Sequence, residues 1–456
     1  MRPNANDNVC SIFRAAPAIA SLAFAVWFMF PSTGVSQSMN SDPRDPGVRG
    51  GPTAPGPPLA GLTVGQQQFF SDGKEAFEEF GFVQNPPPDG DAGLGPGFNA
   101  NSCAGCHAFP SVGGTSPSVN PQVALATKLG ARNVVPPFIR LDGPVLEVRF
   151  KQRPDGSHDG GVHNLFSIAG RTDAAGCNAP QEDFSATANL SFRTVTPTFG
   201  LGLIEAIDDS HLSENLARDA SAKGSLGISG RFNRSENDGT ISRFGWKAQN
   251  KSLHIFAAEA YNVEMGVSSR LFPQERNESP GCGFNLSPED SLDFESGDHD
   301  DIALFAAFMR FLAPAARGPI TASETDGLEA FNRIGCALCH TPALTTGRNG
   351  IPALSGKPVP LFSDVALHRM GPGLADDIRQ GTAEGDEFRT APLWGLGQRI
   401  FFLHDGRTAD LLVAIRAHAS EGNRQYRASE ANGVIRRFNL LPAAQQQNVL
   451  NFLRSL

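Results

Sequence analysis

Two pentapeptides in this chain of 456 residues share one form: Cys103-Ala-Gly-Cys106-His107 and Cys336-Ala-Leu-Cys339-His340. On a helical turn, residues i and i+3 put two thiols on one face, where each can bond a vinyl group of haem. The next residue then offers its imidazole to the iron. The spacing therefore predicts two covalently bound haem c groups, with His107 and His340 as iron ligands. A zinc ribbon needs its two pairs within about 20 residues, and these lie 233 apart. A thioredoxin-like pair would need a βαβ setting and would leave both histidines unexplained.

The N-terminus points to export. Arg2 and Arg14 precede the apolar run Ala15–Phe30, and the small residues Gly34 and Ser36 suit a cut before Gln37, so residues 1–36 read as a secretion signal leading to the periplasm. The run is short of the roughly 20 residues that span a bilayer and contains Pro17. Cys10 lies before it and leaves with the signal. Of the six cysteines that remain, Cys177 and Cys282 stand in loop-like stretches, and an oxidising compartment makes a structural disulfide between them the plain reading. The formal charge of −9 becomes −10 without the signal, which carries Arg2 and Arg14 against Asp7. An acidic chain lacks the electrostatic footprint of a nucleic-acid binder.

The elements that position the two motifs form an internal repeat. Gly73-Lys-Glu-Ala-Phe77 precedes the first and Gly327-Leu-Glu-Ala-Phe331 the second, each predicted to start a short amphipathic helix. The apolar segments Ile302–Leu312 and Val449–Leu456 are predicted to close each half as a crossing helix. Pro314–Ile320 is then a linker between units spanning 38–313 and 320–456. Glycine (49) and proline (34) are plentiful without collagen periodicity, so long ordered loops are expected. Phenylalanine outnumbers tyrosine 33 to 2, which fits a dry interior. Ser252–Tyr261 has apolar residues at 253, 256, 257 and 260, the helical period, and Thr408–His418 is a second such helix with a cap at Thr408 or Asp410. Pro144–Phe150 and Leu165–Ala169 alternate and predict a small sheet or hairpin. The expected fold is mainly α: two cytochrome c-like haem domains with long loops and a small β element in the first.

The segments at 93–114, 199–207 (FGLGLIEAI), 244–249 (FGWKAQ), 260–273 (AYNVEMGVSSRLFP), 363–371 (SDVALHRMG), 388–397 (FRTAPLWGLG) and 402–418 (FLHDGRTADLLVAIRAH) together resemble the bacterial di-haem oxidoreductases. These are relatives of the di-haem cytochrome c peroxidases, and the resemblance covers nearly all of the mature chain. It implies further roles. The peroxidases carry a sixth ligand to the second haem fourteen residues after the histidine of an F-H-(D/N)-G type loop. Counting from His404 reaches His418, whose imidazole would give a bis-histidine iron of lower potential than a His/Met one. Met370 and His368 are the rivals, and His404 itself is expected to make loop hydrogen bonds.

The same relatives place a switchable histidine about sixteen residues after the first motif, yet Val112–Asn133 contains none, which predicts an open first iron. Glu264, in Glu264-Met265-Gly266, matches their acid/base glutamate, with Glu205 as second choice; His254 on the same segment is expected to be a packed core residue. Trp246 or Phe244 matches an aromatic between the haems. The resemblance thus implies an exported oxidoreductase, a peroxidase taking electrons through its C-terminal haem from a small carrier such as a cytochrome c or a cupredoxin. The alternatives are a di-haem oxygenase like the rubber oxygenases, acting with dioxygen, and a non-catalytic electron-transfer cytochrome.

Overall fold

The computed structural model describes residues 42–456 apart from 52–55, 89, 276–278 and 292–298. The stretch expected to be a secretion signal, with Cys10, lies outside the described residues. Two threonines with a Gln or Glu three residues on, Thr63/Gln66 and Thr321/Glu324, each form a capping box that satisfies orphan amide groups at a helix start. They open helix α1 (Val64–Glu78) and, in the second half, the corresponding helix Ala322–Ile334. Between these lie α2 (Leu253–Met265), begun by the Ser252 hydroxyl accepting from the Ile255 amide, and α3 (Asp301–Phe311). With Ala322–Ile334 as α4, the last two helices used below are α5 (Leu411–Arg416), capped by Asp410, and α6 (Ala443–Ser455).

Helix α1 crosses α3 and α4 crosses α6, and the repeat explains how closely. A Cβ on Gly73 would lie 2.3 Å from the Leu304 carbonyl oxygen, and one on Gly327 would lie 2.0 Å from that of Asn448. Only glycine permits such backbone approach. One turn on, Phe77 meets Phe308 at 4.8 Å between ring centroids, and Phe331 meets Phe452 at 5.3 Å. The repeat therefore sits inside each helix at a crossing, and not at a helix start as its sequence suggested; the start belongs to the capping threonines.

Among the described residues helix accounts for 31% and strand for 12%, so loops carry more than half of them and the fold is mixed, not mainly α. The strands used below are β1 (Gly97–Phe98), β2 (Leu146–Phe150), β3 (Val162–His163), β4 (Phe166–Ser167), β5 (Leu190–Thr194), β6 (Leu367–Arg369) and β7 (Glu387–Arg389). β3, β2 and β5 form an antiparallel sheet in that order. β4 pairs with β1 and so does not join β2 in a hairpin. The β6–β7 ladder lies in the second half, so strand is not confined to the first. These are long-range pairings between loops, which local alternation does not reveal.

The apolar core has a larger cluster around Phe77, Phe305 and Phe308 and a smaller one around Phe331, Phe438 and Phe452. The larger also takes in Leu344, Leu354 and Val359, so segments beyond residue 320 pack against it. A disulfide joins Cys177 and Cys282 across 105 residues of sequence.

Candidate functional site

Each C-x-x-C-H motif opens onto a cavity. At the second motif it measures about 210 Å³ and has apolar walls that include Phe331, Leu393, Leu411, Val434 and Phe438. The His340 Nδ1 donates to the Phe362 carbonyl at 3.0 Å, and the His418 Nδ1 donates to the Ala414 carbonyl at 2.8 Å. A carbonyl only accepts, so in both rings the proton sits on Nδ1 and Nε2 keeps the lone pair a metal needs. Burial, with His418 nearby, pushes His340 down to about 4, and burial also lowers His418. Both rings are therefore neutral at physiological pH, as ligands must be.

His368 lines the same cavity, but neither of its nitrogens is free: Nδ1 meets Glu430 at 2.8 Å and Nε2 meets Asp364 at 3.0 Å. Burial disfavours the charged ring, yet Cys339 and Asp364 outweigh it and hold His368 well above the ordinary histidine range. A protonated imidazole cannot ligate iron, so the rival ligand His368 is corrected to a buried ion-pair residue. Met370 keeps its thioether on the cavity wall.

The cavity at the first motif measures about 90 Å³ and is more polar. His107 donates from Nδ1 to the Gly114 carbonyl at 3.3 Å, and burial lowers it to about 4. The β2–β5 pair supplies one wall. Alternation puts Leu146 and Val148 on the core face, leaving Glu147 and Arg149, with Arg193 opposite Glu147, on the cavity side. Helix α2 supplies another wall with Glu259, Tyr261 and Glu264. Burial, then the Glu147 and Glu259 carboxylates, raise Glu264 to about 8. Among the described residues no second histidine lines this cavity; Met309, on the helix that carries Phe305 and Phe308, does.

Both cavities fit a haem group by tests independent of the motifs. In the second, the buried cations Arg389 and Arg399 have no carboxylate partner among the described residues, and burial lowers each to about 10. An uncompensated buried charge is costly, and the two propionates of a haem would neutralise the pair. In the first, Arg149 Nε, Thr194 Oγ1 and Gln249 Oε1 are buried on the wall without a hydrogen-bond partner among the described residues. They call for a polar occupant. All four motif thiols are free of disulfides, and burial raises Cys336 to about 12, so Cys336 stays a thiol at neutral pH.

Trp246 lines both cavities, and its Nε1 donates to the Thr194 carbonyl at 2.8 Å. Phe244 lines neither; it is buried and stacked on Phe256 at 5.9 Å. The choice that the sequence left open falls on Trp246. Two expectations are corrected. Glu205 faces neither cavity: it pairs with Arg310 at 2.8 Å and accepts from the Leu253 amide at 2.8 Å, holding the start of α2. His254 is exposed, because the helical phase that buries Leu253 and Ala257 turns position 254 to solvent. His404 is buried and stacks on Phe388 at 4.3 Å. Arg389, Arg399, Gln249 and Tyr261 were not singled out in the sequence; Arg389, Gln249 and Tyr261 fall inside three of the segments that carried the resemblance.

The sequence profile of the family described as "Di-haem oxidoreductase, putative peroxidase" matches residues 170–456. The chain belongs to this family, and as a member it is an oxidoreductase that carries two haem groups. Among solved structures it is similar to the diheme peroxidase BthA from Burkholderia thailandensis, with 15% identity over 91% of this chain and 95% of that one and a TM-score of 0.36. It is also similar to a MauG-like protein associated with microbial copper homeostasis, with 16% identity over 57% of this chain and 89% of that one and a TM-score of 0.28. A hydrazine synthase from Kuenenia stuttgartiensis follows, with 12% identity over 90% and 97% and a TM-score of 0.33. No curated protein matches.

Proposed function

We propose that the protein is an exported c-type di-haem peroxidase. Residues 38–313 form the unit that reduces hydrogen peroxide, and residues 320–456 form the unit that passes electrons to it. In this reading thioethers from Cys103 and Cys106 and from Cys336 and Cys339 hold the two haems. His107 and His340 would each ligate one iron, and His418 would be the second ligand at the C-terminal one.

The observation that carries the reading is the chemical asymmetry of the cavities. The second pairs two neutral histidines across apolar walls, which suits electron transfer with little change of geometry. The first offers one histidine and a carboxyl raised to about 8, which suits acid/base work at neutral pH. When bound, the haem irons supply one-electron redox chemistry and the atom to which peroxide binds. Glu264 takes the proton from the near oxygen of peroxide and delivers it to the far one, which departs as water. Overall, hydrogen peroxide, two electrons and two protons give two water molecules. A positioned acid/base favours peroxide over the dioxygen alternative. The electrons come from a small redox carrier such as a cytochrome c or cupredoxin. Export to the periplasm is supported by the apolar run after Arg14 and by the Cys177–Cys282 disulfide.

Electron paramagnetic resonance of the oxidised holoprotein tests the asymmetry. One high-spin and one low-spin signal are expected, together with peroxide consumption on addition of a reduced carrier. Two low-spin signals in a protein that does not consume peroxide would sink the reading.

A further inference from the structure

The peroxide reaction consumes two protons for every two electrons, and the first cavity lies among Phe77, Trp246, Phe256 and Phe305. A second, much smaller cavity of about 10 Å³ adjoins it. That is at the limit for holding one water, which needs roughly 10–15 Å³ of such volume. Its walls include Glu79, Asp91 and Asp301. Tyr261 and Cys103 line both cavities. The chain has only 2 tyrosines against 33 phenylalanines, so a hydroxyl at this boundary is a distinct feature of an interior otherwise built with phenylalanine. The Tyr261 hydroxyl donates to Asp301 Oδ2 at 2.8 Å. Asp301 is hydrogen-bonded in turn to Asp91, and Asp91 and Glu79 are half-exposed.

We infer that Tyr261 and Asp301 form the proton entry to the first cavity, receiving protons from Asp91 and Glu79 at the surface and passing them towards Glu264. The inference rests on the peroxide reading for its purpose, but the path is a property of these side chains. Glu264 follows Tyr261 by three residues on α2, which puts both on one face of the helix. A phenol can accept a proton from a carboxylic acid on one side while donating its own on the other, so the hydroxyl relays without ionising. The carboxyl groups facing the path support it. Burial, then the neighbouring Asp91 and Glu79, raise Asp301 to about 7, although its bond to Tyr261 opposes this; Asp91 is also raised. Burial and Asp301, with Asp300 and Asp290 beyond it, raise Glu289 to about 8, while its oxygen accepts from the Asp301 amide at 2.6 Å. Carboxyls in this range exchange protons at neutral pH.

The test uses the holoprotein and its Tyr261→Phe and Asp301→Asn variants. The first readout does not need turnover: after transfer to heavy water, infrared spectroscopy follows deuteration of the Glu264 carboxyl, assigned by its absence in Glu264→Gln. Exchange should slow by about 10²-fold or more in both variants, the lower end of the usual range for loss of a proton-transfer group. The second readout is peroxide consumption, which should fall in both variants at unchanged haem content and recover when a small weak acid such as acetic acid is added. A purely structural loss would not recover. Parental exchange rates in both variants, or lost turnover without recovery, overturn the path. A parent that consumes no peroxide overturns the peroxide reading, and the exchange rates still decide the path.

Discussion

Trp246 and His404 meet edge to face, 6.4 Å between ring centroids, on the partition between the two cavities. His404 belongs to the wall of the second cavity and stacks on Phe388, whereas Trp246 belongs to both walls. Beside them Lys247 lies over the Phe388 ring at 4.0 Å and pairs with Asp376 at 2.9 Å, and Asp376 also holds Arg193 of the first cavity at 2.7 Å. At Trp246 the partition is one side chain thick. A fully buried ion cluster backs it, in which loss of one partner would leave an uncompensated charge.

Trp246→Leu should therefore slow electron passage between the cavities without removing either haem. The measurement is stopped-flow reduction of the second haem by a carrier, followed by reoxidation of that haem on adding peroxide. Reoxidation at the parental rate would mean that the path avoids Trp246.

His418→Ala should convert the low-spin signal of the second haem to a high-spin or water-ligated one. His368→Gln should leave that signal low-spin, because His368 has both nitrogens held by carboxylates. A low-spin signal that survives His418→Ala and vanishes in Met370→Leu would assign the thioether instead.

The His368 ion cluster also predicts a pH dependence of stability. His368 is held above its ordinary value, so its contribution is fully present below the unfolded histidine pKa of about 6.5 and is lost as pH rises through the higher folded value. Burial alone would raise Glu430, but the hydrogen bond and charge of His368 bring it down to about 2. Its contribution is present above the unfolded glutamate value of about 4.3 and is lost as pH falls towards 2. His368→Gln should thus lower Tm most between those limits and flatten the alkaline fall. An unchanged Tm profile would show that the cluster adds nothing.

What was legible in the sequence was local. The two C-x-x-C-H motifs, the helix period of α2 and the Asp410 cap are short-range patterns, and the count from His404 reached a histidine that lines the second cavity together with His340. Arg389 and Arg399 were not legible, since a lone arginine in sequence reads as surface and only the fold shows that both are buried with no carboxylate partner among the described residues. Glu205 and Glu264 look alike as glutamates near helix ends. What separates them is Arg310, 105 residues from Glu205 in sequence, which engages one and leaves the other facing the cavity. The pairing of β4 with β1, and not with β2, was hidden for the same reason.

Cys177→Ala with Cys282→Ala should lower stability by about 2–5 kcal/mol, the usual cost of losing a native disulfide, while both haem spectra stay unchanged. Neither sulfur lines a haem cavity. The comparison is chemical denaturation of parent and variant, monitored by circular dichroism; equal midpoints would mean that the bridge is energetically idle.

Glu264→Gln tests the chemistry most directly. The substitution keeps the size of the side chain and removes the exchangeable carboxyl, so haem content and the high-spin signal of the first haem should persist while peroxide consumption falls by roughly 10²–10⁴-fold. Glu205→Gln is the matched control. It weakens an ion pair with Arg310 that is partly exposed and worth about 0–1 kcal/mol, while the amide oxygen can still accept from Leu253, so turnover should stay near the parental rate. The pH profile adds a signature: with Glu264 raised to about 8, the parental rate should change around that pH, and Glu264→Gln should lose the inflection. A Glu264→Gln protein that consumes peroxide at the parental rate, with the inflection intact, would remove Glu264 from the mechanism and return the first cavity to the dioxygen alternative.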